Sequence, residues 1–208
     1  MRVIMIIILA ISLLFSYTVI ASAEVLFGVS AETGQTDFSA DYSSILPDVS
    51  KSPNLLILNG DLNLILVHIY LEYGTADMDQ CSFSTTGLRA GWEFGPSILN
   101  AKVFAGYQQY VFTDKIDHAY ASIVGGLGIE SKIDKFTFYG TTLIPVTTRY
   151  SNGASEDDSA SLSYLNLGVA YAPIPMVDFF VNYRTMKAES NIVDISSNGY
   201  TAGAKVSF

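Results

Sequence analysis

Along most of the chain hydrophobic residues recur at every second position. Ile65, Val67, Ile69, Leu71 and Tyr73 alternate with Leu66, His68, Tyr70 and Glu72. In a strand, alternate residues face opposite sides, so one face here is apolar and the other carries a His and a Glu. The same split runs through Leu88–Phe94, Ala101–Gln108, Ala121–Glu130, Tyr164–Tyr171, Val177–Arg184 and Tyr200–Phe208. It predicts strands at 64–75, 84–95, 98–112, 118–131, 134–149, 161–173, 177–189 and 198–208. Val25, Phe27, Val29 and Ala31 mark another strand, and 54–60 marks a tenth, with Asn59-Gly60-Asp61 as turn chemistry before the next.

A soluble sandwich also alternates. Two features favour a membrane instead. The polar face is rich in Gly, Ser and isolated charges of both signs, which suits a cramped polar interior. The connectors also alternate in length. Gly95-Pro96-Ser97, Lys132-Ile133-Asp134 and Pro173-Ile174-Pro175-Met176 are short, whereas 37–53, 75–83, 113–117, 150–160 and 190–197 read as longer polar loops. Short turns at one end and long loops at the other describe a transmembrane barrel. Trp92, Phe94, Phe136, Phe138, Tyr171, Phe179 and Phe208 flank the short turns, and Tyr73, Tyr107, Tyr183 and Tyr200 flank the loops, as two interfacial girdles. The fold class expected is all-β, a transmembrane antiparallel up-and-down barrel of ten strands. The alternative is eight strands with an N-terminal plug or flap from 24–59.

Met1-Arg2, the apolar run Val3–Ile20 and the small-x-small Ala21-Ser22-Ala23 read as a signal peptide, 1–23, cleaved after Ala23. The barrel domain is then 24–208, carrying 20 acidic and 10 basic residues. The whole chain is 50% hydrophobic and 15% charged, against about a quarter charged in ordinary soluble domains. Its formal charge of −9 excludes a nucleic-acid binder, which needs a basic footprint. The single Cys81 forms no internal disulfide.

The last strand ends in a C-terminal Phe, with Tyr200, Ala202, Ala204, Val206 and Phe208 at alternate positions. It resembles the assembly signal of small Gram-negative outer-membrane β-barrels of the OmpA-like and opacity-like kind. The resemblance implies location in the outer membrane, insertion by the barrel-assembly machinery, and contact with outer-membrane lipids and lipopolysaccharide.

The charges expected inside are Glu32, Glu72, Arg89, Glu93, Lys102, Glu130, Lys135, Arg149, Asp178, Arg184 and Lys205, with His68 beside them. Both signs in near balance point to paired side chains, because an unpaired desolvated charge is costly. A small barrel filled by side chains has no wide channel, so a general porin of ~16–18 strands is excluded. The loop acids Glu156-Asp157-Asp158, Asp77 and Asp79 suit hard divalent cations, without the spacing of a defined calcium loop.

Neither Gly-x-Ser-x-Gly nor His-Glu-x-x-His occurs. Asp77 and Asp79 together with Asp117-His118 have a likeness to the omptin proteases, which place an Asp pair and an Asp-His couple at the outer rim. Adjacent residues point to opposite faces of a strand, however, which separates Asp117 from His118. Lipid A acyl-chain hydrolases need a Ser with a His and an acid, and no such motif stands out. The chain is read as non-enzymatic, without cofactor or metal, with an envelope-structural or loop-mediated surface role. Its alternatives are a narrow channel for small solutes and a rim-sited hydrolase. No surface ligand can be named.

Overall fold

The computed structural model describes residues 26–43, 48–64, 67–79, 81–96 and 98–208. The leader, with Ala21 and Ala23, lies outside the described residues. Among the described residues twelve strands form one antiparallel sheet. Ten are long: β1 (Leu26–Tyr42), β3 (Asn54–Leu64), β4 (Val67–Met78), β5 (Cys81–Phe94), β6 (Asn100–Thr113), β7 (Asp117–Ile133), β8 (Phe136–Ser151), β10 (Ser161–Ile174), β11 (Val177–Glu189) and β12 (Val193–Ser207). Each pairs with the next, and β12 pairs with β1, so the ten close into a barrel. At the seam the Phe27 and Phe208 backbones exchange two hydrogen bonds, of 3.1 and 2.8 Å. The short β2 (Val49–Lys51) and β9 (Glu156–Asp157) pair with the loop-end parts of β1 and β8.

One end has tight connections. Asp134 and Met176 carry the positive φ values, 55° and 72°, of two such turns, and Gly95 has φ 112° in a third. Around the middle of the barrel an apolar belt faces outward, including Leu71, Leu88, Leu127, Ile144, Leu167 and Val181. Exposed Trp92, Phe94, Phe136, Phe138, Tyr171, Phe179 and Phe208 bound it at the turn end, and Tyr73, Tyr107 and Tyr200 bound it at the loop end.

The strands continue past the belt, and there both faces change character. On β1 the outward residues run Val29, Ala31, then Thr33, Gln35 and Asp37, while the buried inward residues run Glu32, Thr36, then Phe38, Ala40 and Tyr42. On β5 outward Leu88 and Trp92 give way to Ser84 and Ser82, and inward Arg89 gives way to Thr85 and Phe83. On β11 outward Phe179 and Val181 give way to Thr185 and Lys187, and inward Asn182 and Arg184 to Met186 and Ala188. The barrel thus has two storeys: apolar outside and polar inside at the turn end, polar outside and apolar inside at the loop end.

This arrangement corrects several expectations. Segments 75–83, 190–197 and much of 37–53 are largely strand rather than loop. β4 runs to Met78 and β5 begins at Cys81, and β12 begins at Val193. Asn59-Gly60-Asp61 is no turn; β3 passes straight through it, paired with β1 and β4. Asn59 and Asp61 are polar because they point into the lumen, toward Glu32 and Lys205.

Two residues expected in the lumen are elsewhere. Lys135 lies exposed in the turn between β7 and β8, its Nζ 3.4 Å from the Pro173 carbonyl. Arg149 faces outward because β8 carries a bulge: Val124 pairs with Pro145 and Ile123 with Thr147, so Val146 is the extra residue. One inserted residue exchanges the faces beyond it, so Leu143 and Tyr150, of opposite parity, both point inward while Arg149 meets Asp158 outside at 2.8 Å.

The belt makes a measurable prediction. Leu127→Arg, mid-belt on β7, lowers unfolding free energy in a bilayer by about 2–4 kcal/mol, whereas Ser163→Arg beyond the belt costs under about 1 kcal/mol. Denaturant titrations of both variants in lipid vesicles check this, and equal costs would displace the belt.

Candidate functional site

The turn-end lumen is organised by buried acids that gather cations from strands far apart in the sequence. Glu32 of β1 is fully buried and takes the Arg184 guanidinium of β11 as an ion pair. It also accepts hydrogen bonds from Asn59 Nδ2 at 3.2 Å, Asn182 Nδ2 at 2.8 Å and the Thr201 hydroxyl. Glu72 of β4 holds Arg89 at 3.2 Å and Arg184 at 3.3 Å, and accepts from Gln108 Nε2 at 3.3 Å. Arg184 also donates to the Tyr164 hydroxyl at 2.5 Å. Two guanidiniums and two carboxylates therefore form one chain across the barrel.

A second cluster lies nearer the turns. Lys102 bridges Glu93 at 2.7 Å and Glu130 at 2.8 Å, and His68 Nδ1 lies 3.4 Å from Glu93. His68 is thus a neighbour of Glu93, not of Glu72 on its own strand. Lys205 meets Asp61 at 2.9 Å. Asp61 escapes a sequence reading because Asn-Gly-Asp mimics a turn; its even two-residue spacing from Asn59 was the available signal. Lys132 escapes it too, because Lys132-Ile133-Asp134 reads as a turn while β7 carries Lys132 to the cavity.

These side chains leave a cavity of about 400 Å³. Its charged lining consists of Glu32, Asp61, Glu72, Glu130 and Asp178 against Arg89, Lys102, Lys132, Arg184 and Lys205. The signs balance, five to five. Toward the loop end the lumen is closed by packed aromatics. Phe38 stacks near Phe83 and Phe112, with centroids 5.5 and 5.1 Å away, and Tyr120 sits 5.1 Å from Tyr150. Phe38, Phe112, Tyr120 and Tyr150 are all buried, and Leu162, Met186 and Ile195 pack with them in the same core.

The rim residues do not form the arrangement suggested by the omptin likeness. Asp77 and Asp117 are exposed, and Asp79 is exposed in the β4–β5 turn. His118 faces inward at 1% exposure, its Nδ1 2.8 Å from the Tyr150 hydroxyl. Its acidic neighbour is Asp114, with Nε2 to Oδ1 at 3.6 Å. Asp114 in turn accepts a 2.5 Å hydrogen bond from the Tyr42 hydroxyl and one from the Ile116 N–H. Partial burial pushes the Asp114 carboxyl up, but the Tyr42 hydroxyl and the Ile116 and Lys115 N–H groups outweigh it and hold it below the usual carboxylate value. Among the described residues no group of three or more His, Cys, Asp or Glu side chains is placed to hold a metal ion.

A closed ten-stranded antiparallel barrel with an outward apolar belt and a charged lumen is an outer-membrane β-barrel fold. The fold is similar to the outer-membrane protease OmpT of Escherichia coli, with a TM-score of 0.67, 10% identity, and coverage of 90% of this chain and 98% of that one. Neisserial surface protein A matches with a TM-score of 0.48 and 14% identity over 88% of this chain and 97% of that one. No protein-family model matches the sequence, and no curated relative does.

Two outcomes test this geometry. Arg184→Met strands the buried Glu32 charge and costs about 3–5 kcal/mol of stability, and adding Glu32→Gln recovers part of it; a double-mutant cycle by denaturant unfolding measures the coupling. For Asp114 the depressed folded pKa means its stabilisation is present at neutral pH and lost as pH falls through that pKa. Tyr42→Phe therefore moves this loss to higher pH, read from the acid limb of thermal stability against pH.

Proposed function

We propose that the chain is a non-enzymatic outer-membrane barrel that contributes to the envelope and presents its loop end to the outside, with the lumen shut to solute flow. The closed aromatic storey between the charged lumen and the loop end carries this reading. A conducting pore needs a continuous wetted path, and four of the aromatic side chains across this one, Phe38, Phe112, Tyr120 and Tyr150, are almost completely buried. The loop end would face outward, where Asp37, Asp41, Asp77, Asp79, Asp117, Glu156 and Asp158 are exposed and give it the negative excess of the chain. The outward residues Tyr200, Ala202, Ala204, Val206 and Phe208 would serve as the strand read by the assembly machinery, and the belt would contact outer-membrane lipid and lipopolysaccharide.

A rim-sited protease is the reading that the OmpT likeness raises. His118 argues against it: the imidazole is 1% exposed, packed against Tyr42 and hydrogen-bonded to the Tyr150 hydroxyl, which leaves a peptide no access to it, and its acid is 3.6 Å away.

Planar-bilayer recording tests the sealed lumen. The refolded chain shows no unitary conductance above background, and Phe112→Ser with Tyr120→Ser introduces one. Steady unitary openings in the unmodified protein would overturn the reading in favour of a channel. Fractionation tests the location, since recovery in the soluble periplasm rather than with outer membranes would contradict it.

A further inference from the structure

The charged cavity is a blind well. On the loop side it ends at the Glu32–Arg184–Glu72–Arg89 chain and the aromatics behind it. Toward the turns its side chains become accessible: Glu32 is 0% exposed, Arg184 11%, and Lys205 32%. Access is therefore from the turn end, the periplasmic side in the reading above.

The well is held open by a specific device. The rings of Phe104, Tyr139 and Phe180 lie against Gly126, Gly168 and Gly203. A Cβ on those glycines would come within 1.8, 2.5 and 2.7 Å of ring atoms. At Gly126 a larger residue meets the Phe104 ring first and must displace it; at Gly168 and Gly203 it also meets Asn182 Oδ1 at 2.2 Å and the Ala31 carbonyl at 2.3 Å. The glycines thus leave room for three aromatic rings that line the cavity. Its volume falls in the range of small-molecule pockets, about 300–1,000 Å³.

The charges define what fits. Arg184, Arg89, Lys102 and Lys205 are each matched by a carboxylate. Lys132 and Asp178 also line the well, toward the turns, and make no ion pair among the described residues. An anion entering alone gains Lys132 but approaches Asp178 and the Glu72 side, and a cation entering alone meets the converse. A solute carrying one charge of each sign satisfies both free groups without upsetting the balance. The rings add apolar contact for a small side chain and attract an ammonium group.

We propose that this well binds a small zwitterion of the amino-acid type from the turn end, its carboxylate toward Lys132 and its ammonium toward Asp178. Entry from the turn end rests on the sealed loop end proposed above, whereas binding of the zwitterion is read separately by the titration that follows.

The full barrel, isotope-labelled and refolded in detergent micelles, is titrated by NMR with L-leucine. Isoamylamine lacks the carboxylate, 4-methylvalerate lacks the ammonium, and glucose carries neither. Leucine produces saturable shifts at well residues; the two half-molecules bind roughly tenfold or more weakly, a loss of about 1.4 kcal/mol for each factor of ten. Glucose produces no saturable shift. Asp178→Asn weakens leucine and strengthens 4-methylvalerate, whose carboxylate no longer approaches a like charge. Gly126→Ala swings Phe104 into the well and abolishes leucine binding, and Gly126→Ala with Phe104→Leu restores it. Heat-modifiable gel mobility confirms folding of each variant. Absence of saturable leucine shifts in the unmodified protein overturns the proposal, as does equal binding of an amine, an acid or glucose.

Discussion

Inside hydrocarbon every backbone N–H and C=O must find a partner within the protein, and this requirement shapes everything else here. It is met by closure. The last residue of the chain returns to the first described strand, and Phe208 and Phe27 exchange backbone hydrogen bonds across the seam. With the ladder closed there is no edge, and the side chains are free to adapt to whatever solvent surrounds them at each height.

Two solvents surround these strands, and the side chains follow them. Within the belt, lipid takes the apolar face and the polar face turns inward, where carboxylates and guanidiniums from β1, β4, β5 and β11 neutralise one another. Beyond the belt water takes the polar face and the interior becomes an ordinary hydrophobic core of Phe, Tyr, Leu, Met and Ile. The consequence for function is a lumen that is wet at one end and dry at the other. The charged end encloses the cavity, and the apolar core lies between it and the loop end.

The belt was legible in the sequence because its period-two alternation persists over whole segments. Leu88–Phe94 shows one parity of apolar residues throughout, and Val177–Arg184 does so but for Phe180. The outer storey was not legible for the same reason. On β4 the apolar positions shift from Leu71 and Tyr73 to Ala76 and Met78, an odd-to-even change that reads as the end of a strand. On β12 Val193 and Ile195 are out of phase with Tyr200 and Ala202, so 190–197 looked like a loop. Both are single strands crossing a membrane surface. Arg149 failed through a different cause: the bulge at Val146 changes parity by one inserted residue, and only the cross-strand register reveals it.

The sequence by itself determined the class of fold, the ten strands, the belt and its girdles, and most of the charges that point inward, because these follow from local periodicity. Only the tertiary structure decided which charges pair. Glu32 and Arg184 are 152 residues apart, and nothing local joins them; the closure of the barrel does. It also decided that Asp61 is a lumen acid, that Lys135 and Arg149 are not lumen cations, and that aromatics pack together in the loop-end half. Each depends on which residues face one another across the axis, a relation set by register and curvature that alternation along a single strand does not contain.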